Sequence, residues 1–234
     1  MADKQATRIQ TSLINAAEKK VLQWLAVRQP KWVTSDFLTF IGILGSVMIA
    51  LGYILTEKSY AFLWLSSLGL CINWYGDSLD GTLARVRGTQ RPIYGYYIDH
   101  TVDVINEALM FIGLGLSPLM NLPLALFVFI LYLAMTLNVS INAHLKGEFK
   151  LTYLKLGPTE FRLFVILVNT IYFFVRPLQT FSWSGKLFGQ AVTLRAFDIA
   201  AIVILAVLIL IYVITFINDA SYYAKIDPLP RKDD

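Results

Sequence analysis

Long apolar stretches occupy most of this chain, broken by short polar or Pro/Gly-containing turns at 56–59, 117–123, 146–158 and 182–193. Six stretches, over roughly 35–56, 60–84, 93–117, 122–145, 159–181 and 196–220, each approach the ~20 residues a helix needs to cross a bilayer. Ahead of them, over roughly 9–27, Leu13, Ala17, Val21, Leu22 and Leu25 recur at helical spacing, with Glu18, Lys19, Lys20 and Gln23 elsewhere. That pattern predicts an amphipathic helix lying on the membrane surface and closing before Pro30; an ordinary solvated helix is the alternative. No internal repeat or low-complexity linker is visible. The expected fold is all-α and polytopic: a cytosolic N-terminal segment over 1–33 with the amphipathic helix, six transmembrane helices over 34–223, and a polar tail over 224–234.

Composition agrees. Of 234 residues, 56% are hydrophobic and 15% charged, whereas a soluble domain is about a quarter charged. Charge also orients the chain. If both termini share a side, sixteen Lys/Arg fall on that side and only Lys58, Arg176, Lys186 and Arg195 on the other. This asymmetry predicts cytosolic termini. Lys4, Arg8, Lys19, Lys20, Arg28 and Lys31 interrupt the first 33 residues, which argues against a cleaved signal peptide. Cys71 stands alone, so no intramolecular disulfide is expected. The net charge of +4 suits a protein resting against anionic lipid. The basic residues are scattered over loops without stacking aromatics, which argues against nucleic acid as a partner.

The second and third stretches hold carboxylates where lipid-facing helices should have none. Asp77 and Asp80 are three residues apart, Asp99 and Asp103 four, and each spacing puts both acids on one helix face. A short cytosolic turn should join the two helices as antiparallel neighbours, so that all four acids converge near the cytosolic surface. Four such anions repel one another and are costly to desolvate. Shared protons would relieve this, and so would bound cations. Hard divalent ions such as Mg²⁺ or Mn²⁺ take oxygen ligands, and four carboxylates can hold two of them, an arrangement that clamps a phosphoryl displacement. Gly81, lacking a Cβ, admits a ligand close to the backbone. Arg85, one turn on, can grip phosphate oxygens bidentately. Gly95, one turn before Asp99, permits tight helix contact or ligand access.

Together these positions spell Asp77-x2-Asp80-Gly81-x2-Ala84-Arg85-x9-Gly95-x3-Asp99-x3-Asp103. This resembles the signature of the CDP-alcohol phosphotransferase family, whose usual six spans and leading amphipathic helix also match. The resemblance implies displacement of CMP from a CDP-linked substrate by an alcohol, in phospholipid synthesis at the membrane. It implies Asp77, Asp80 and Asp99 as metal ligands, with Asp103 completing the second metal site and acting as general base. Gly81 and Arg85, with Gly95 and Asp36, would hold the cytidine nucleotide and its phosphates. A homodimer is implied as well. CDP-diacylglycerol with a small polar alcohol is slightly preferred as the substrate pair; a CDP-choline or CDP-ethanolamine type donor with diacylglycerol is the alternative. An ion-coupled transporter is a remote third reading, which gives no reason for Gly81, Arg85 and their offsets.

Some positions depart from the family pattern or stand outside it. Ser35-Asp36, within Thr34-Ser35-Asp36-Phe37-Leu38-Thr39, replaces a Pro-Asn pair that lines the nucleotide pocket in many relatives, and Asp36 can instead cap a helix. Pro92 stands where some CDP-diacylglycerol users carry a small hydroxyl residue. His100 lies about 100° round the helix from Asp99 and should face elsewhere. Glu107, one turn past Asp103, either extends the polar face or pairs with an amide such as Asn138. Thr159 and Glu160 fit a helix start. Lys155, Glu160 and Arg162 are candidates to contact the acceptor's polar group. Arg195 and Asp198 fit topology and capping roles.

Overall fold

The computed structural model describes residues 7–9, 14–146, 148–150, 157–187 and 189–229. Most of them are helical: α1 (Asn15–Arg28), α2 (Ser35–Ile54), α3 (Leu63–Arg87), α4 (Pro92–Gly115), α5 (Leu122–Lys146), α6 (Pro158–Phe174), the short α7 (Arg176–Thr180) and α8 (Ala196–Ile226). All six apolar stretches are therefore helical, close to the expected bounds. The fifth breaks at Val175, because Pro177 has no backbone N–H and its ring would clash with a carbonyl one turn back.

Three helical segments, Ser35–Glu57, Leu122–Leu145 and Ala196–Ile226, are long and apolar enough to cross a membrane. With 25 and 24 residues, α3 and α4 match them in length, but their carboxylates interrupt the apolar run. At 17 residues, α6 is the shortest of the six.

Two short ladders accompany the helices. Strand β1 (Thr7–Ile9) pairs in parallel with β2 (Glu148–Lys150), Arg8 opposite Phe149. Strands β3 (Ser182–Leu187) and β4 (Gln190–Arg195) form an antiparallel hairpin that turns through Gly189, whose φ of 81° favours glycine. The helix expected over 9–27 accordingly begins at Asn15, with Ile9 in a strand and residues 10–13 outside the described residues. Local periodicity had no means of signalling a pairing across 140 residues. The polar tail's last residues, 230–234, also lie outside the description.

The central contact is between α2 and α3. A Cβ on Gly69 would meet the Gly45 carbonyl at 2.7 Å and Ile49 at 2.8 Å, so the two backbones approach as only small residues allow. Asn73, buried in this seam, donates to the Gly42 carbonyl (3.1 Å) and to Ser46 Oγ (3.0 Å). Apolar cores flank the seam. Ile49, Leu63, Leu70, Leu119, Tyr172 and Phe197 form one, and Leu22, Ala26, Leu38, Leu79 and Leu83 the other, where α1 docks. Asp198 is fully buried. It accepts from the backbone N–H of Arg195 (2.8 Å) and from Asn121 N (2.7 Å) and Nδ2 (2.8 Å), the capping role its position suggested.

The turn between α3 and α4 is written locally. Gly88 ends α3 with φ of 64°, Thr89 N donates back to the Ala84 carbonyl (3.0 Å), and Pro92 opens α4, where a missing N–H costs nothing. One expectation needs correcting here. Both α3 and α4 pack chiefly on α2 rather than on each other. Their acids meet across the space that α2 leaves between them.

Candidate active site

Helix α3 contributes Asn73 and Asp77 on one face, and α4 contributes Asp99 and Asp103 on another, each pair four residues apart. Asp77, Asp99 and Asp103 each offer an oxygen, and these oxygens all lie within 4.8 Å of one another. All three side chains are partly buried. A cation arrives from a third helix. Arg162 of α6 donates through Nη2 to Asp77 Oδ2 (2.6 Å) and through Nε to Asn73 Oδ1 (3.0 Å), and only 13% of its side chain is exposed.

Asp80 stands apart from this trio. Its Oδ2 accepts from Thr39 Oγ1 of α2 (2.6 Å), its Oδ1 accepts from the Gly81 N–H, and Ser35 Oγ donates to its carbonyl (2.9 Å). Three of the four acids thus converge closely, and the fourth is held toward the start of α2.

Around the acids, the two motif glycines are not required by the packing. A Cβ on Gly81 would make only ordinary contact with Arg85 Nη1 (3.5 Å), and one on Gly95 would meet nothing within 4 Å. Space beside both backbones is open, in contrast to Gly45 and Gly69. Arg85 is exposed and donates to Thr82 Oγ1 (2.9 Å). Asp36 is not the cap of α2; Thr34 Oγ1 is, accepting from Phe37 N (3.1 Å). Asp36 instead binds Arg91, whose Nη2 lies 2.6 Å from both its oxygens, and the Arg91 guanidinium stacks 3.8 Å over the Tyr94 ring. The hydrogen bond to Asp36 raises the Arg91 pKa above its ordinary value.

His100 stacks on Tyr96 at 4.1 Å with Nδ1 3.0 Å from the Tyr96 carbonyl, yet the same nitrogen lies 3.8 Å from Asp99 Oδ2, so its offset round the helix does not take it away from the acids. Asn138 pairs with Asp219 of α8 (3.3 Å) rather than with Glu107. Glu107 Oε2 and Asn106 Oδ1 are buried with no hydrogen-bond partner among the described residues. Both oxygens of Glu160 hold backbone N–H groups, that of Gly157 (3.0 Å) as a cap and that of Ile14 (3.1 Å). Lys155 lies outside the described residues.

This site falls within a segment shared with known proteins. The sequence model of the family described as CDP-alcohol phosphatidyltransferase matches residues 32–217, from the loop before α2 through most of α8. The chain belongs to the CDP-alcohol phosphatidyltransferase family. Its membership and its three long apolar helices make it an integral membrane protein. It is 34% identical over 84 residues to a phosphatidylinositol phosphate synthase of Cutibacterium acnes, a match covering 36% of this chain and 38% of that one. It is 29% identical over 110 residues to cholinephosphotransferase 1 of Xenopus laevis, covering 44% of this chain and 27% of that one. The chain thus spans well under half the length of either relative.

Members of this family use divalent metals, and the donor set here fits them. Oxygens alone close the cluster, with no thiolate or imidazole among its ligands, which is the chemistry hard cations take. Two contacts escaped the sequence reading, those of Asn73 and of Thr39, while Arg162, a candidate for the acceptor's polar group, is found as a partner of Asp77. Asn73 had left a signal, being an amide in an apolar run one turn before Asp77. Thr39 and Arg162 come from other helices, and nothing in the local sequence joins them to the acids.

Proposed function

We propose that the chain transfers a substituted phosphate group from a CDP-linked donor to an alcohol with release of CMP, in phospholipid synthesis. The observation that carries this reading is the closure of Asp77, Asp99 and Asp103 around one point beside two glycines with open backbones. Nucleotide and pyrophosphate lie along Gly81 and Gly95, with Arg85 gripping phosphate oxygens and Asp36 at the edge. Two divalent ions, Mg²⁺ or Mn²⁺, held by Asp77, Asp80, Asp99 and Asp103, would supply positive charge against the pyrophosphate. Asp80 keeps lone pairs beyond those that Thr39 and Gly81 occupy, so its present bonds do not bar it from this set. Asp103 takes the proton of the attacking hydroxyl as that oxygen bonds to phosphorus and the bond from phosphorus to the CMP oxygen breaks. Arg162 balances charge at Asp77 and faces the acceptor; Lys155 and Glu160 are its weaker companions in that role.

In this reading six helices cross the bilayer, with α1 on the surface, both termini and the acids at the cytosolic side, and two copies forming a dimer. The catalytic unit is 34–223, flanked by the N-terminal segment 1–33 and the tail 224–234. CDP-diacylglycerol with a small polar alcohol is the preferred pair, since the relative at 34% identity is a phosphatidylinositol phosphate synthase. The cholinephosphotransferase likeness supports the second pair, a CDP-choline or CDP-ethanolamine donor with diacylglycerol. A matrix of CDP-donors against acceptors, read as CMP and lipid product with Mg²⁺ or Mn²⁺ present, decides between them. Ion flux without any metal-dependent CMP release would instead revive the transporter reading.

A further inference from the structure

We infer that Glu18, on the N-terminal helix, is a positioning residue that sets α6 against α3 and so holds Arg162 on Asp77. One carboxylate oxygen makes the link. Glu18 Oε1 accepts from Trp74 Nε1 of α3 (2.9 Å) and from Thr159 Oγ1 of α6 (2.5 Å). Three residues along α3 from Trp74 is Asp77, and three residues along α6 from Thr159 is Arg162. Residues so spaced share a helix face. Asp77 and Arg162 are themselves joined at 2.6 Å. Two bridges therefore tie the same pair of helices within one turn of each, and the outer bridge is made by α1.

The start of α6 depends on α1 a second time. Glu160 caps the helix through the Gly157 N–H and also accepts from Ile14 N at the head of α1. On its other side, α1 is anchored by Leu22 and Ala26, buried against Leu79 and Leu83 of α3. Helix α1 is thus fixed to α3 by apolar packing and to α6 by polar contacts. Glu18 contacts both partners with one atom. Losing it leaves α1 docked and the start of α6 tied to α1 through Glu160 and Ile14 alone, which loosens the first turn of α6, and Arg162 moves with that turn. A guanidinium that shares Asp77 with bound reactants tolerates little displacement, since misplacement near 1 Å costs up to about 100-fold in rate.

The kinetic test rests on the proposed reaction, and a second measurement does not. In full-length protein in lipid nanodiscs, Glu18→Ala and Thr159→Val should each lower kcat/KM for the acceptor about tenfold or more, through Arg162 placement. Glu18→Gln, whose amide oxygen still accepts from Trp74 and Thr159, should restore values near the wild type. Combined with Arg162→Ala, neither Glu18→Ala nor Thr159→Val should add a further loss. Unchanged kinetics, or losses that multiply with that of Arg162→Ala, overturn the assignment and leave Glu18 a general tether. Hydrogen exchange at amides 160–163 is the independent measurement. Protection should fall in Glu18→Ala and Thr159→Val and persist in Glu18→Gln; equal protection in all four proteins refutes the inference even if the wild type releases no CMP. Absence of CMP release with the expected exchange pattern sinks the proposed reaction alone.

Discussion

At the level of single residues, the site separates groups that the chain's own packing needs from groups it does not. Gly69 has neighbours that forbid a side chain, while Gly95 has none within 4 Å. Conversely, Arg87 is engaged by backbone, donating to the carbonyls of Gln29 (2.9 Å), Pro30 (2.8 Å) and Val33, so it closes the α1–α2 connection. Arg85, exposed and four residues from Gly81, is the better placed of the two for the proposed phosphate contact. Arg85→Ala should weaken binding of a CDP-linked substrate about tenfold or more, the loss expected for a charge-assisted hydrogen bond, with kcat changed far less. Calorimetric titration checks this, and unaltered affinity would remove Arg85 from the phosphate site. Asp103→Asn should reduce turnover by at least about 100-fold, as removal of a general base does. CDP-substrate affinity should stay within a few-fold. Near-normal turnover would take the proton-accepting role from Asp103.

At the level of elements, the α2–α3 seam is the base on which the site's other helices rest, since α4 packs on α2 and α6 on α3. The seam is narrow because glycines on both helices allow close backbone contact, and Asn73 then bonds across it. Gly69→Val would push two methyl groups into the Gly45 carbonyl and Ile49. Such overpacking costs about 1–3 kcal/mol or more. A lowered thermal midpoint and reduced yield of dispersed protein in size-exclusion chromatography are the expected results. An unshifted midpoint would mean the seam yields more readily than its contacts indicate. The α3–α4 turn is under local control instead: Gly88 supplies the left-handed conformation and Pro92 a pre-set first turn, so its shape does not wait for the rest of the bundle.

For the molecule as a whole, the acids occupy helices whose hydrophobicity they reduce, and the three most apolar helices surround them only in part. Helix α8 packs mainly on α5, and much of its apolar surface faces outward. This suits hydrocarbon better than water. A site of clustered carboxylates inside such a bundle should depend on added cations. Chelation by EDTA should silence CMP release, and Mg²⁺ or Mn²⁺ should restore it; full activity in metal-free buffer would contradict the proposed chemistry. Chelation should also lower thermal stability, because the acids then repel without compensation.

The sequence alone determined the helical plan and the identity of the acids. Hydrophobic length is a local property, and so is the spacing that puts Asp77 with Asp80, or Asp99 with Asp103, on a single face. It could not determine which acids meet. That depends on α3 and α4 both packing on α2, on Thr39 holding Asp80, and on α6 delivering Arg162 to Asp77 from 85 residues away. Each of these is a contact between surfaces that only packing brings together. For the same reason the strand pairing of Thr7–Ile9 with Glu148–Lys150, and the grip of Glu18 on Trp74 and Thr159, left no trace in the local pattern.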